Sequence, residues 1–184
     1  QGKNSENNDS MVLQDEGIRF DASFEALSGL NPVTEGGVIT AGNASQITDG
    51  ASAVLVCNDA GLKKIKCDPL VKVKGISVVG DDPILMLTGP IPATKKVLSE
   101  SKLNIDEIGL YEVNEAFAVV PMAAMKDLSI SPDIVNVHGG ACALGHPVGT
   151  SGARIMATLI SAMHKYKVDK GIITYAGYIA QWNL

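Results

Sequence analysis

Residues 137–154, VHGGACALGHPVGTSGAR, constrain the fold more than any other stretch. Glycines at 139, 140, 145, 149 and 152 surround His146 and Pro147. Each glycine inside a helix or strand costs about 0.5–1 kcal/mol relative to alanine, so such a run has to be a loop or the edge of one. It follows the strand-like segment DIVNV (133–137) and leads into SGARIMATLISAMHKY (151–166), the best amphipathic helix in the chain. There Ile155, Met156, Leu159, Ile160 and Met163 share one face, and Ser151 is placed to cap it. Where a strand ends and a helix begins, backbone N–H groups and the helix dipole can face an anion or a developing oxyanion. Tight packing alone would also explain the glycines, and His146 alone fits a core or surface position equally well.

The flanking sequence sets the layers. VKVKGISVVG (71–80) alternates with period two and predicts a half-buried strand. PATKKVLSES follows as a helix with Pro92 at its first position. IGLYEV (108–113) predicts a strand and AFAVVPMAAMKDL (116–128) a helix, whose first turn falls near Val119–Met122 because Pro121 would break a helix interior. GIITYAGYIA (171–180) predicts a last strand, buried on both faces. Nearer the start, Phe20, Phe24 and Leu27 fall at helical spacing, residues 31–50 read as connecting loop, and ASAVLVCND (51–59) reads as a buried stretch. Strands alternating with helices predict an α/β layered domain.

Bulk properties narrow the function. The 184 residues suffice for a real core, and 46% hydrophobic with 19% charged residues is a globular balance. A net charge of −5 and no basic cluster beyond Lys63-Lys64 and Lys95-Lys96 argue against nucleic acid as a partner. No apolar run reaches spanning length, so no membrane partner is expected. Cys57, Cys67 and Cys142 are scattered without a CxxC. That pattern suits neither a disulfide framework nor a metal site, and fits a reducing compartment, cytoplasmic or mitochondrial.

Two further loops carry candidate chemistry. YEVNEAFA (111–118) puts Asn114 and Glu115 just past a strand end. An asparagine there can cap the next helix or hold a water that donates to a carbonyl oxygen. TAGNASQITDGASA (40–53) adds Asn43, Ser45 and Asp49. Taken together with the histidine loop, in this order and spacing, these stretches resemble the thiolase family. The resemblance is to its C-terminal half and runs from about Asp15 to Tyr175, with DPILMLTGPIPATKKVL as a fourth matching stretch. It is nearest to the acetyl-CoA acetyltransferase and short-chain 3-ketoacyl-CoA thiolase types.

The resemblance implies acyl transfer through a cysteine thioester, followed by joining to, or cleavage from, the acetyl unit of a second coenzyme A thioester. No cofactor is implied, since the coenzyme A thioester is itself the substrate. It implies that Asn114 positions a water which, with Nε2 of His146, forms an oxyanion hole, and that His146 also helps activate the nucleophile. Two hydrogen bonds to one bridging water would set the two side chains about 4–6 Å apart. Phe117 and Met86 match residues that wall the acyl pocket, and Ser45 a position that contacts the pantetheine arm of coenzyme A.

Two departures qualify the match. The family's nucleophilic cysteine lies in an N-terminal half that this chain does not contain, and none of its three cysteines sits in that motif. Cys142 takes an aliphatic position and reads as a small buried hydrophobe. Aligned on GIITY, the family's second catalytic cysteine falls at Ala176, and Tyr178, Ile179 and Ala180 largely replace the glycines after it. The chain therefore reads as part of an active thiolase, inactive alone. The alternative is a non-catalytic homologue that binds acyl-CoA or a partner.

The expected fold is a thiolase fold with its first half largely missing. Residues 1–14 form a disordered tail, and 15–67 the end of a loop domain and of the N-terminal half. Residues 68–184 form the C-terminal domain, a mixed five-stranded sheet with helices on both faces. The full-length protein is expected to be a homo-oligomer, and this piece to expose a large apolar face.

Overall fold

A computed structural model of the chain describes residues 2–3, 9–11, 13–15 and 17–175. Its organising element is a four-residue strand, β3 (Leu110–Val113), buried along its whole length. Side chains alternate across a strand, and here the alternation divides the core. Tyr111 and Val113 pack with Ile91, Leu98, Val120, Ala124 and Leu128 on one face. Leu110 packs with Leu159 and Ala162 on the other. The first face is covered by α3 (Pro90–Ser101) and α4 (Val119–Leu128), the second by the long helix α6 (Val148–Tyr166). Helices therefore cover both faces of the sheet, and each buried aliphatic side chain contributes about 1.5–3 kcal/mol.

After α6 the chain returns as β4 (Gly171–Thr174), parallel to β3, with Leu110 opposite Gly171 and Val113 opposite Thr174. A parallel pair needs a long crossover, and here the whole segment from α4 to α6 supplies it. Gly171 lies beneath α6, where a β-carbon would press on Leu159 and Met163.

Three expected elements differ. Residues 133–140 form no strand. Pro132–Ile134 is a single 3-10 turn, and Val135 makes one parallel bridge to Tyr111. The reason is Asn136, whose φ is +48°. Its Oδ1 accepts from Val113 N at 2.8 Å and its Nδ2 donates to Val113 O at 2.9 Å. A side-chain amide thus occupies the place of the next ladder residue.

Residues 71–80 also form no strand. They lie against α3, with Ser77 Oγ donating to Ala93 O and Lys96 Nζ to Val78 O. No neighbouring strand among the described residues pairs with their backbone. The expected five-stranded sheet is thus represented by β3, β4 and the bridge at Val135. Helix α3 starts two residues earlier than predicted, so Pro90 takes the first position and Pro92 the third.

The third difference is 51–59, expected to be buried, where Leu55 and Val56 are exposed because no described element packs on them. This part of the chain carries only α1 (Phe24–Ser28) and α2 (Asp59–Ile65). In the segment expected as a tail, β1 (Gly2–Lys3) pairs antiparallel with β2 (Asp9–Ser10). No helix among the described residues is long and apolar enough to cross a membrane.

Candidate functional site

Three loops meet at the ends of β3 and β4. The loop after β3 carries Asn114, whose backbone N–H continues the sheet by donating to Thr174 O at 3.0 Å. The loop 40–52 docks on it: Ser45 N and Oγ both donate to Ala116 O, at 3.1 and 2.9 Å, and Ala118 N donates to Asn43 O. The histidine loop forms the third side. It contains a short helix, α5 (Ala141–Leu144), and then Gly145, His146 and Pro147 before α6 begins.

Gly145 has φ +91°, a conformation in which a β-carbon would be strained, and one there would also strike Thr48. The loop is braced from outside by 40–52. His146 N donates to Gln46 O at 2.9 Å, Thr150 Oγ1 to Gly50 O at 2.6 Å, and Ser52 Oγ to Thr150 O at 2.9 Å. Gly145 and Gly50 are the glycines at which this bracing leaves no room for a β-carbon. Both lie in close contact with a neighbouring loop, Gly50 against Pro147.

The bracing aims the imidazole. His146 Nε2 lies 3.2 Å from Asn114 Nδ2, and Nδ1 lies 2.6 Å from Ser151 Oγ. Ser151 is not the cap of α6. It sits one turn inside, fully buried, with its hydroxyl 3.0 Å from Pro147 O. A carbonyl only accepts, so the single hydroxyl proton goes there and Oγ accepts from Nδ1–H. Nε2 then carries the lone pair and accepts from the Asn114 amide. The opposite tautomer would set Nε2–H against an NH₂ group. The network thus assigns a neutral, Nδ1-protonated imidazole. Burial, followed by the nearby Arg154 charge, holds the His146 pKa below its ordinary value, in keeping with that state.

Asn114 is 1% exposed, and its Oδ1 has no hydrogen-bond partner among the described residues. The expected gap of about 4–6 Å between Asn114 and His146 is replaced by this direct contact. The free acceptor is on the other amide atom. Tyr175, just past β4, stands edge-on to the His146 ring with centroids 5.8 Å apart. A buried acidic and basic group lies nearby: Glu112 is pushed up to about 7, chiefly by burial, and Arg154 has all three guanidinium nitrogens buried without a partner among the described residues.

Of the residues singled out from the sequence, Asn114 and His146 touch, and Phe117 follows on the same loop, bridged to Ala44 and packed against the α3–α4 core. Ser45 stands on the facing loop with its hydroxyl turned onto Ala116 O. Met86 sits apart on its own turn, in left-handed backbone (φ +52°) and 44% exposed, with its amide bonded to Asp82 O. Ala176 lies outside the described residues. Sequence reasoning missed Ser151 and Tyr175 as neighbours of the imidazole. A serine near a helix start reads as a cap, whereas its position five residues after His146 was the available signal.

All three cysteines are free. Cys57 and Cys67 are exposed, and Cys142, half-buried against Glu115 and Asn43 carbonyls, is pushed up to about 11, first by burial and then by the Glu115 charge. Among the described residues, no cluster of three His, Cys, Asp or Glu side chains could hold a metal ion.

Known proteins resemble this chain in sequence and fold. The family model described as "Thiolase, C-terminal domain" matches residues 67–180, and that described as "Thiolase, N-terminal domain" matches 1–60. The chain is 44% identical over 170 residues to a 3-ketoacyl-CoA thiolase of Saccharophagus degradans, covering 90% of this chain and 44% of that protein. It is likewise 44% identical over 167 residues to an acetyl-CoA acetyltransferase of Rhizobium meliloti, covering 90% and 42%. Among solved structures it is similar to the Bacillus anthracis acetyl-CoA acetyltransferase, with TM-score 0.83, 38% identity and coverage of 87% of this chain and 41% of that one. Human mitochondrial 3-ketoacyl-CoA thiolase in complex with CoA matches with TM-score 0.82, 40% identity and coverage of 89% and 42%. The chain thus spans less than half the length of these relatives.

Proposed function

The chain belongs to the thiolase family, and we propose that it supplies the histidine–asparagine side of a thiolase-type acyltransferase site acting on a short-chain 3-ketoacyl-CoA or acetyl-CoA. The observation that carries this is the Asn114–His146–Ser151 line. Ser151 fixes the proton on Nδ1 and leaves Nε2 as a base. A neutral base at Nε2 takes the proton of an attacking thiol, and the resulting imidazolium Nε2–H then faces the charge developing on the thioester oxygen. Asn114 Oδ1, buried and without a partner among the described residues, is an acceptor for a water whose other proton reaches the same oxygen. Within this proposal Phe117 and Met86 are acyl-pocket contacts and Ser45 a pantetheine contact, roles that rest on the family resemblance alone. The substrate carries the chemistry, and no separate cofactor takes part.

Cys142 does not suit the nucleophile, because its thiol, pushed up to about 11, stays protonated at neutral pH, and Cys57 and Cys67 are exposed on the surface. The second thiol position reads Ala176. Turnover therefore needs thiols from outside this set. The full-length protein is a homo-oligomer in this proposal, and exposed Phe20, Phe24, Leu55 and Val56 offer apolar surface for packing.

The test is thiolysis of acetoacetyl-CoA. The 184-residue chain alone is expected to give none. Mixing with the N-terminal half of a relative is expected to restore thiolysis once segment 176–179 (AGYI) is replaced by cysteine and glycines. Turnover by the unaltered chain that survives removal of all three cysteines would refute the proposal. Saturable coenzyme A binding without reconstituted turnover would move the chain to the non-catalytic reading.

A further inference from the structure

Glu115 has no part in the chemistry above, yet both of its carboxylate oxygens are engaged. Oε1 accepts from Asn136 Nδ2 at 2.7 Å, and Oε2 accepts from the backbone N–H of Cys142 at 3.1 Å. These donors belong to different parts of the site. Asn136 is bound to β3 through both backbone groups of Val113 and through its own N–H to Tyr111 O. Cys142 lies in α5, and the chain reaches His146 four residues later. Glu115 itself follows Asn114 directly. Its carboxylate therefore joins the strand edge, the Asn114 loop and the histidine loop at one point.

Gly140 gives a second, independent observation. Its φ of −146° is extended backbone that any residue adopts, so conformation does not require a glycine there. Space does, because a β-carbon at Gly140 would overlap the Glu115 carboxylate. The histidine loop is thus shaped to receive this side chain. The carboxylate also offsets part of the buried Arg154 charge.

We propose that Glu115 is a positioning residue whose carboxylate latches the histidine loop to the strand end carrying Asn114, and thereby sets the contact between Asn114 and His146. Two acceptor oxygens facing two N–H donors make the latch specific for a carboxylate, since a glutamine would turn an NH₂ toward one of them. The catalytic meaning of the latch rests on the proposed roles of Asn114 and His146.

The test uses the whole 184-residue chain with ¹⁵N-labelled histidine, in which His138, His146 and His164 are the only three histidines. Long-range ¹H–¹⁵N spectra report which ring nitrogen carries the proton. The wild type is expected to show His146 protonated at Nδ1. Both Glu115→Gln and Gly140→Ala, the second of which displaces the carboxylate without removing its charge, are expected to shift the His146 tautomer ratio about fivefold toward Nε2–H. That is the equivalent of one ordinary hydrogen bond. His138 and His164 are expected to stay put. An unchanged His146 in either variant overturns the latch. So does a joint movement of all three histidines in both, which would make Glu115 a support of the whole fold and not of this loop. Failure of the functional reading is seen separately: an unchanged rate for His146→Ala in the reconstituted thiolysis assay overturns that reading and leaves the latch standing.

Discussion

Replacing Glu112 by glutamine should change how stability depends on pH, in a direction and amount set by the buried site. Glu112 projects from β3 toward α6 and is 2% exposed. Burial raises its pKa, the Arg154 charge lowers it, and Glu115 raises it further, for a net move from 4.5 to about 7. At about 1.36 kcal/mol per pH unit, the ionised carboxylate costs roughly 3 kcal/mol more inside the fold than in the unfolded chain. The sign follows from proton binding. Below about pH 4.5 the side chain is neutral in both states, and its contribution to stability is fully present. Between 4.5 and 7 the unfolded chain ionises while the folded chain does not, so stability falls as pH rises, and above 7 the whole contribution is gone.

His146 works in the opposite sense. Its pKa is held below 6.5 by burial and then by Arg154, so its contribution is lost as pH falls below that value. Measuring Glu112→Gln against wild type at each pH cancels the histidine. Urea unfolding between pH 4.5 and 8 is expected to show the variant gaining roughly 3 kcal/mol on the wild type across that range. A gap that is flat with pH, or one that turns against the variant at pH 8, would refute the reasoning. The second result would mean that Arg154 holds Glu112 ionised.

Three other outcomes are expected. Ser151→Ala strands the His146 Nδ1–H in a buried place, so urea unfolding should show a loss of about 1–3 kcal/mol and ¹⁵N spectra a swing to Nε2–H. Asn136→Ala unpairs both backbone groups of Val113 and one oxygen of Glu115, and each buried group left without a partner costs about 1–3 kcal/mol, again readable by urea unfolding. Iodoacetamide at pH 7.5 followed by mass spectrometry should label exposed Cys57 and Cys67 and spare Cys142, whose thiol is pushed up to about 11. Fast labelling of Cys142 would contradict its burial.

Much of this could be read from the residues, for physical reasons that differ by element. Helix α6 was legible because its apolar positions repeat with helical period over five turns, and β3 because a short apolar run sits between clear breaks. Pro121 correctly marked the first turn of α4, where its missing N–H is harmless. The stretch 133–140 carries a strand pattern, which does not show that a side-chain amide, that of Asn136, takes over the ladder. Residues 71–80 have a strand's alternation, but a strand also needs a neighbour, which a local pattern cannot supply. At the site, the meeting of Asn114 with His146 was legible from the motifs. The tautomer was not, since it depends on where one serine proton points, and Ser151 looks the same in sequence whether it caps the helix or holds the ring. Glu115 was visible as a residue but not as a link, because its two partners lie 21 and 27 positions away.

The central claim is that His146, held by Ser151 and paired with Asn114, acts on a coenzyme A thioester. It is tested most directly by thiolysis of acetoacetyl-CoA in the chain reconstituted with a relative's N-terminal half and with the cysteine-glycine segment restored at 176–179. The account predicts that His146→Ala lowers kcat by a factor of about 10²–10⁴, the span of a lost general acid–base, while the far-UV spectrum is unchanged. A folded His146→Ala protein that turns over at the wild-type rate would contradict it.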